Sequence, residues 1–89
     1  MFTSGSSGAP KGAVLSHRGL VYASCVESEA IGIAAPRVPC NLPINHVACL
    51  ADLTGTTLVA GGMLALLERF DPAEIVDLIE RLRLTNLMN

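Results

Sequence analysis

The stretch Thr3–Gly12, T-S-G-S-S-G-A-P-K-G, decides how the rest of the chain is read. Its ten residues hold four hydroxyls (Thr3, Ser4, Ser6, Ser7), three glycines (Gly5, Gly8, Gly12), Pro10 and Lys11. No apolar residue larger than alanine or proline occurs in it, so it cannot contribute a core. It can contribute a loop rich in backbone N–H groups, hydroxyl donors and one mobile positive charge. Those are the parts needed to hold a polyphosphate. The spacing is not that of a Walker loop, in which lysine directly follows the last glycine; here Lys11 comes three residues after Gly8. Nor does it read as a Gly/Ser linker or cloning scar, because it runs on into P-K-G-A-V-L-S-H and a capped helix.

Outward from the loop, Met1 and Phe2 read as the end of a strand. Gly12–Ser16 read as a short strand leaving the loop, which makes a hairpin-like unit. Ser16 is placed to cap a helix whose apolar residues recur at Leu20, Val21, Ala23, Val26, Ala30 and Ile31. Glu27 and Glu29 are expected at solvent. Gly32, Pro36 and Pro39 break the pattern. Residues 38–44 suit a buried strand, with the prolines at its ends or at an edge. Val47–Ala60 favours a helix ended by Gly61 and Gly62. Met63–Leu67 suits a buried strand. The last helix is the most clearly marked: Asp71 as N-cap, Pro72 in the first turn, Glu74 completing a capping box. Its apolar face is Ile75, Val76, Leu78, Ile79 and Leu82, and Asp77 and Arg81 stand at i,i+4 spacing. Residues 84–89 suit the start of a further strand. Alternating helices and short apolar strands define the class as α/β, a layered sheet-and-helix arrangement without repeat or internal domain boundary.

Composition sets further bounds. The 89 residues are 51% hydrophobic and only 3% aromatic, which is apolar for so short a chain and suits a piece of a larger protein's interior. A net charge of −2 argues against a nucleic-acid partner. Cys25, Cys40 and Cys49 lack the spacing of a zinc site or a disulfide framework. They are expected as reduced, small core residues in a cytoplasmic setting. The N-terminus lacks the basic and apolar regions of a signal peptide, and no segment suits a membrane span.

The residues F-T-S-G-S-S-G-A-P-K-G-A-V-L-S-H (Phe2–His17) resemble the phosphate-binding signature of the adenylate-forming, or AMP-binding, superfamily. Ala13 stands for the usual valine, and Ser6 and Ser7 stand where threonine is commoner. L-P-I-N-H (Leu42–His46) is similar to the family's l-P-x-x-H element, with Asn45 in place of an aromatic. Glu68–Thr85 is similar to its F-D-P stretch. The resemblance thus covers nearly the whole chain, residues 1–89, and is greatest to acyl-CoA synthetases. It implies a part of the large N-terminal domain of such an enzyme, with the remainder of that domain as its partner. It implies a ligase that activates a small carboxylic acid with ATP and Mg2+, forming an acyl-adenylate and pyrophosphate, and then a thioester with coenzyme A. By motif position the phosphate ligands are Thr3, Ser4, Gly5, Ser6, Ser7, Gly8 and Lys11. Lys11 and His46 are the expected catalytic residues, with no metal ligand among the protein's own side chains. His17 is expected to shape only the loop's exit, and Asp52 to be structural. The family's later aromatic-Gly-x-[TS]-E element, its ribose-binding aspartate, its hinge and the lysine of its small domain do not occur in these residues. The alternative is a non-catalytic remnant that binds nucleotide or a partner at most.

Overall fold

The computed structural model of the chain describes residues 1–87. Two short strands, β1 (Phe2–Thr3) and β2 (Lys11–Gly12), pair antiparallel in the register Phe2 to Gly12 and Thr3 to Lys11. Met1 and Ala13 extend this base by exchanging hydrogen bonds of 2.6 and 3.1 Å. The expected hairpin is therefore present, but its second strand is shorter than the expected 12–16. Beyond Ala13 the chain leaves the ladder, with Val14 and Leu15 exposed.

Helix α1 (His17–Ile31) begins where its cap predicts. The Ser16 hydroxyl accepts from the Gly19 N–H at 3.0 Å, and Gly32, in the left-handed conformation, closes the helix. The face that α1 buries is not the expected aliphatic one. Ser24 is buried and donates to the Leu20 carbonyl, while Val21, Tyr22 and Val26 are exposed. A serine serves here because the neighbouring backbone comes very close. A Cβ on Gly55 would overlap the Ser24 hydroxyl, so only glycine lets the two elements meet. Glu27, exposed as expected, also accepts from the buried Thr56 hydroxyl at 2.9 Å and ties the helical connection to α1.

Strand β3 (Arg37–Cys40) runs parallel to β4 (Met63–Leu66), pairing Arg37 with Met63 through Cys40 with Leu66. Pro39 lies inside β3 and not at its end. Alternation along the strand puts it on the same edge as Arg37, away from β4, where its missing N–H breaks no ladder bond. The β3–β4 connection becomes helical from Val47, and Ala48–Gly55 wind as a π-helix before α2 (Thr56–Val59). The Thr54 hydroxyl donates to the Cys49 carbonyl five residues back at 2.6 Å, a bond suited to the wider turn. Val38, Cys40, Cys49 and Leu53 form the core, with Leu42 and Leu64 packed against it. Burying each large aliphatic side chain there contributes roughly 1.5–3 kcal/mol. Strand β4 is half-buried, with Leu66 exposed, and so is less covered than its composition predicts.

Helix α3 (Pro72–Leu82) has the expected start. Asp71 accepts from the N–H groups of Ala73 and Glu74 at 2.9 and 3.4 Å, while the reciprocal Glu74 bond is not formed among the described residues. Ile75 and Leu78 are buried, Val76 is exposed, and Arg81 pairs with Asp77 at 2.7 Å. Arg37 fastens the far end by donating through Nε to the Leu82 carbonyl. Thr85 then exchanges bonds of 2.9 Å with the backbone of Arg37, on the edge of β3 that β4 leaves free. Residues 84–87 thus lie beside the sheet without forming a strand; the expected strand's last two positions, 88 and 89, lie outside the described residues.

Candidate functional site

The loop between β1 and β2 holds its shape through two glycine conformations. Gly5 has φ 61° and Gly8 has φ 145°, and a Cβ at Gly5 would stand 3.0 Å from the Ala9 carbonyl oxygen. Both conformations disfavour other residues, which explains the glycines at these positions. The loop's remaining side chains are free. Ser4, Ser6, Ser7 and Lys11 are exposed, and none of the four side chains has a hydrogen-bond or ion-pair partner among the described residues. Thr3 alone is engaged, donating to the Lys11 carbonyl at 3.4 Å, long enough to be exchanged readily. The loop therefore presents three unpaired hydroxyls and an uncompensated ammonium. No carboxylate occurs between residues 3 and 12, so nothing within the loop opposes an anion.

His46 stands at the start of the π-helix, where its exposed ring does the work of a cap. Its Nδ1 accepts from the Ala48 N–H at 3.2 Å, and its carbonyl accepts from Cys49 and Leu50. With Nδ1 as acceptor, the neutral ring carries its hydrogen on Nε2 and can donate that hydrogen outward. Thr3, Asn45 and His46 line one open cleft of about 300 Å³ together with Met1, Phe2 and Leu15.

The fold thus brings Thr3 and His46 to one cleft. Ser4, Gly5, Ser6, Ser7, Gly8 and Lys11 are not in its wall; they extend beyond it on the hairpin. His17 is the first residue of α1 and lies outside the cleft. Asp52, expected to be structural, is half-buried without a side-chain partner among the described residues. It lines a second opening with Ser16, Gly19 and Leu20. Phe2, Leu15 and Asn45 were not among the expected site residues. Phe2, as the first residue of the phosphate-binding signature, and Asn45, as a polar residue in an aromatic position of the similar motif, carried a signal.

Cys40 and Cys49 are fully buried side by side, their sulfurs 3.3 Å apart, whereas Cys25 is exposed and departs from its expected core role. Burial pushes the Cys49 thiol up, and the hydrogen bond and charge of Cys40 add to the rise against a smaller lowering by Thr54.

Among the described residues no helix is long and apolar enough to cross a membrane. The family model described as AMP-binding enzyme matches residues 1–89. A feruloyl-CoA synthase from Amycolatopsis sp is 37% identical over 87 residues, covering 96% of this chain and 18% of that protein. The ATP-bound MatB structure from Rhodopseudomonas palustris superposes with a TM-score of 0.87 at 36% identity, over 100% of this chain and 18% of that one. The o-succinylbenzoate coenzyme A synthetase (MenE) from Bacillus subtilis, in complex with ATP and magnesium ion, superposes with a TM-score of 0.83 at 26% identity, over 98% and 18%. The chain therefore spans about a fifth of the length of the proteins it matches.

Proposed function

Since this chain belongs to the AMP-binding enzyme family, we propose that it supplies the phosphate-binding part of an ATP-dependent carboxylate-activating ligase, with residues 3–12 as the phosphate-binding loop. The observation that carries this reading is the hairpin loop with its unpaired hydroxyls and unpaired Lys11, beside a cleft that contains His46.

In this reading the substrate carboxylate attacks the α-phosphorus of ATP and pyrophosphate departs. Negative charge gathers on the leaving group. Ser4, Ser6 and Ser7 donate hydrogen bonds to it, Gly5 and Gly8 let the backbone approach, Thr3 exchanges its long internal bond for a phosphate oxygen, and Lys11 offsets the charge. Donors placed before the reaction need not reorganise as the charge develops. His46 donates from Nε2 to an oxygen of the reacting carboxylate or of the α-phosphate, positioning it without taking its proton. The loop holds no carboxylate, so Mg2+ arrives with ATP, and no ligand for it is assigned within these residues. The acyl-adenylate then passes to a thiol, which the coenzyme A enzymes among the relatives make coenzyme A in this reading. The reaction is assigned to the cytoplasm, and the rest of the AMP-binding domain supplies the ribose and acyl contacts.

The test is Lys11→Ala in the whole protein. Charge-assisted hydrogen bonds contribute about 1.5–3 kcal/mol, so the expected loss in kcat/KM for ATP is about tenfold to a hundredfold. The melting temperature should stay unchanged, because Lys11 is exposed and unpaired. Unchanged ATP kinetics would remove Lys11 from the site. A whole protein without carboxylate-dependent pyrophosphate exchange would favour the non-catalytic alternative.

A further inference from the structure

The two buried thiols have no part in that reaction, yet their place in the fold is specific. Cys40 is the last residue of β3, and Cys49 lies in the first turn of the π-helix. Between them runs the segment 41–48, which carries L-P-I-N-H and His46. Their sulfurs touch at 3.3 Å. Closing by about 1.3 Å would bring them to bonding distance. Each residue is 1% exposed, but residues 43–47 beside them are all exposed, so the cover on this side includes one surface loop. Cys25, on the exposed face of α1, has no sulfur partner.

We propose that Cys40 and Cys49 are a reversible modification site, oxidised by hydrogen peroxide to a disulfide that closes residues 40–49 into a ring and restrains the loop bearing His46. A thiolate of the pair attacks one oxygen of the peroxide, becoming a sulfenic acid while the other oxygen leaves as hydroxide. The second thiol then attacks that sulfur, forming the S–S bond. Its proton and the displaced hydroxyl leave as water. Two thiols are oxidised and one peroxide is reduced to two waters. Folded packing shields both thiols, so the first step follows opening of the 43–47 loop. The thiol chemistry stands on geometry alone; only its consequence for turnover rests on the role proposed for His46.

The test treats the whole protein with hydrogen peroxide, then alkylates it under denaturing conditions. No lysine or arginine occurs between Arg37 and Arg69, so trypsin leaves both cysteines on one peptide, 38–69, and Cys25 on another. The expected result is a loss of 2 Da on peptide 38–69, with no alkyl group added there, and full return of two alkylatable thiols after dithiothreitol. Amide hydrogen exchange over residues 41–47 should slow after oxidation. Cys49→Ala, compared before and after peroxide, should show neither change. Two alkyl groups on peptide 38–69 after Cys25 has been fully oxidised would overturn the proposal, as would a cross-link between Cys25 and either partner. A Cys40–Cys49 bond that leaves exchange over 41–47 unchanged would overturn the restraint. None of these readouts needs adenylation activity, so the proposal can fail or stand separately from the proposed reaction.

Discussion

At position 46 the two ring nitrogens have different tasks. Nδ1 accepts from the Ala48 N–H and starts the helix, which leaves the Nε2 hydrogen free to be donated by a residue that lines the cleft. These tasks can be separated by substitution. Asparagine is a strong N-cap and its amide oxygen can replace Nδ1, but it has no group at the distance of Nε2. His46→Asn should therefore melt within about 0.5 kcal/mol of the native protein, since the cap is kept. Its pyrophosphate exchange should fall about a hundredfold, the scale for loss of one preorganised donor. His46→Ala should lose the same activity and also about 1 kcal/mol of stability. Equal activity in His46→Asn and the native protein, measured beside thermal unfolding, would confine this residue to capping. The motif around His46 was legible in residues 42–46 by its likeness to the family's l-P-x-x-H element. The division between its nitrogens was not, because it depends on where the Ala48 N–H points.

The helical connection between β3 and β4 is where sequence and structure part most. Helix over 47–60 was legible from the lack of proline and the two closing glycines. The π winding of Ala48–Gly55 was not, since no local preference distinguishes an i−5 bond from an i−4 bond. The contact with α1 was equally hidden. Its determinants are Gly55, Ser24, Thr56 and Glu27, and a search for apolar spacing passes over all four. Gly55→Ala should destabilise the protein by about 1–3 kcal/mol, the cost of overpacking, despite alanine's better helix propensity. Ser24→Ala in the same chain should recover part of that loss. It removes the overlapping hydroxyl and leaves the Ser24 Cβ, which would stand 3.2 Å from the new methyl group. A thermal or urea unfolding series on the two single variants and the double variant measures the coupling. Strictly additive effects would show that the two residues do not meet.

For the molecule as a whole, the described chain is a slab of 45 × 28 × 16 Å with a radius of gyration of 14.6 Å. A compact chain of this length would have a radius of about 12 Å. The excess goes with aliphatic surface left open: Val14 is 99% exposed, and Val21, Tyr22, Ile44 and Leu58 are uncovered as well. Such surface drives association in water. A polypeptide limited to these 89 residues should therefore self-associate in light scattering at micromolar concentration. It should also lack carboxylate-dependent pyrophosphate exchange, since it spans only about 18% of the relatives' length. A monodisperse monomer would contradict the first expectation, and measurable exchange the second.

What sequence alone determined was local. The glycines and hydroxyls of Thr3–Gly12, the caps at Ser16 and Asp71, and the L-P-I-N-H motif are set by residue type and spacing within a few positions, and they suffice to assign the family. Only the tertiary structure decided which residues meet. It brought Thr3 and His46 to one cleft across more than forty residues, placed Ser24 and not the valines of α1 against the π-helix, and set two core cysteines in contact while exposing the third. Contacts of that kind depend on how closely two backbones approach, and a one-dimensional pattern carries no record of that distance.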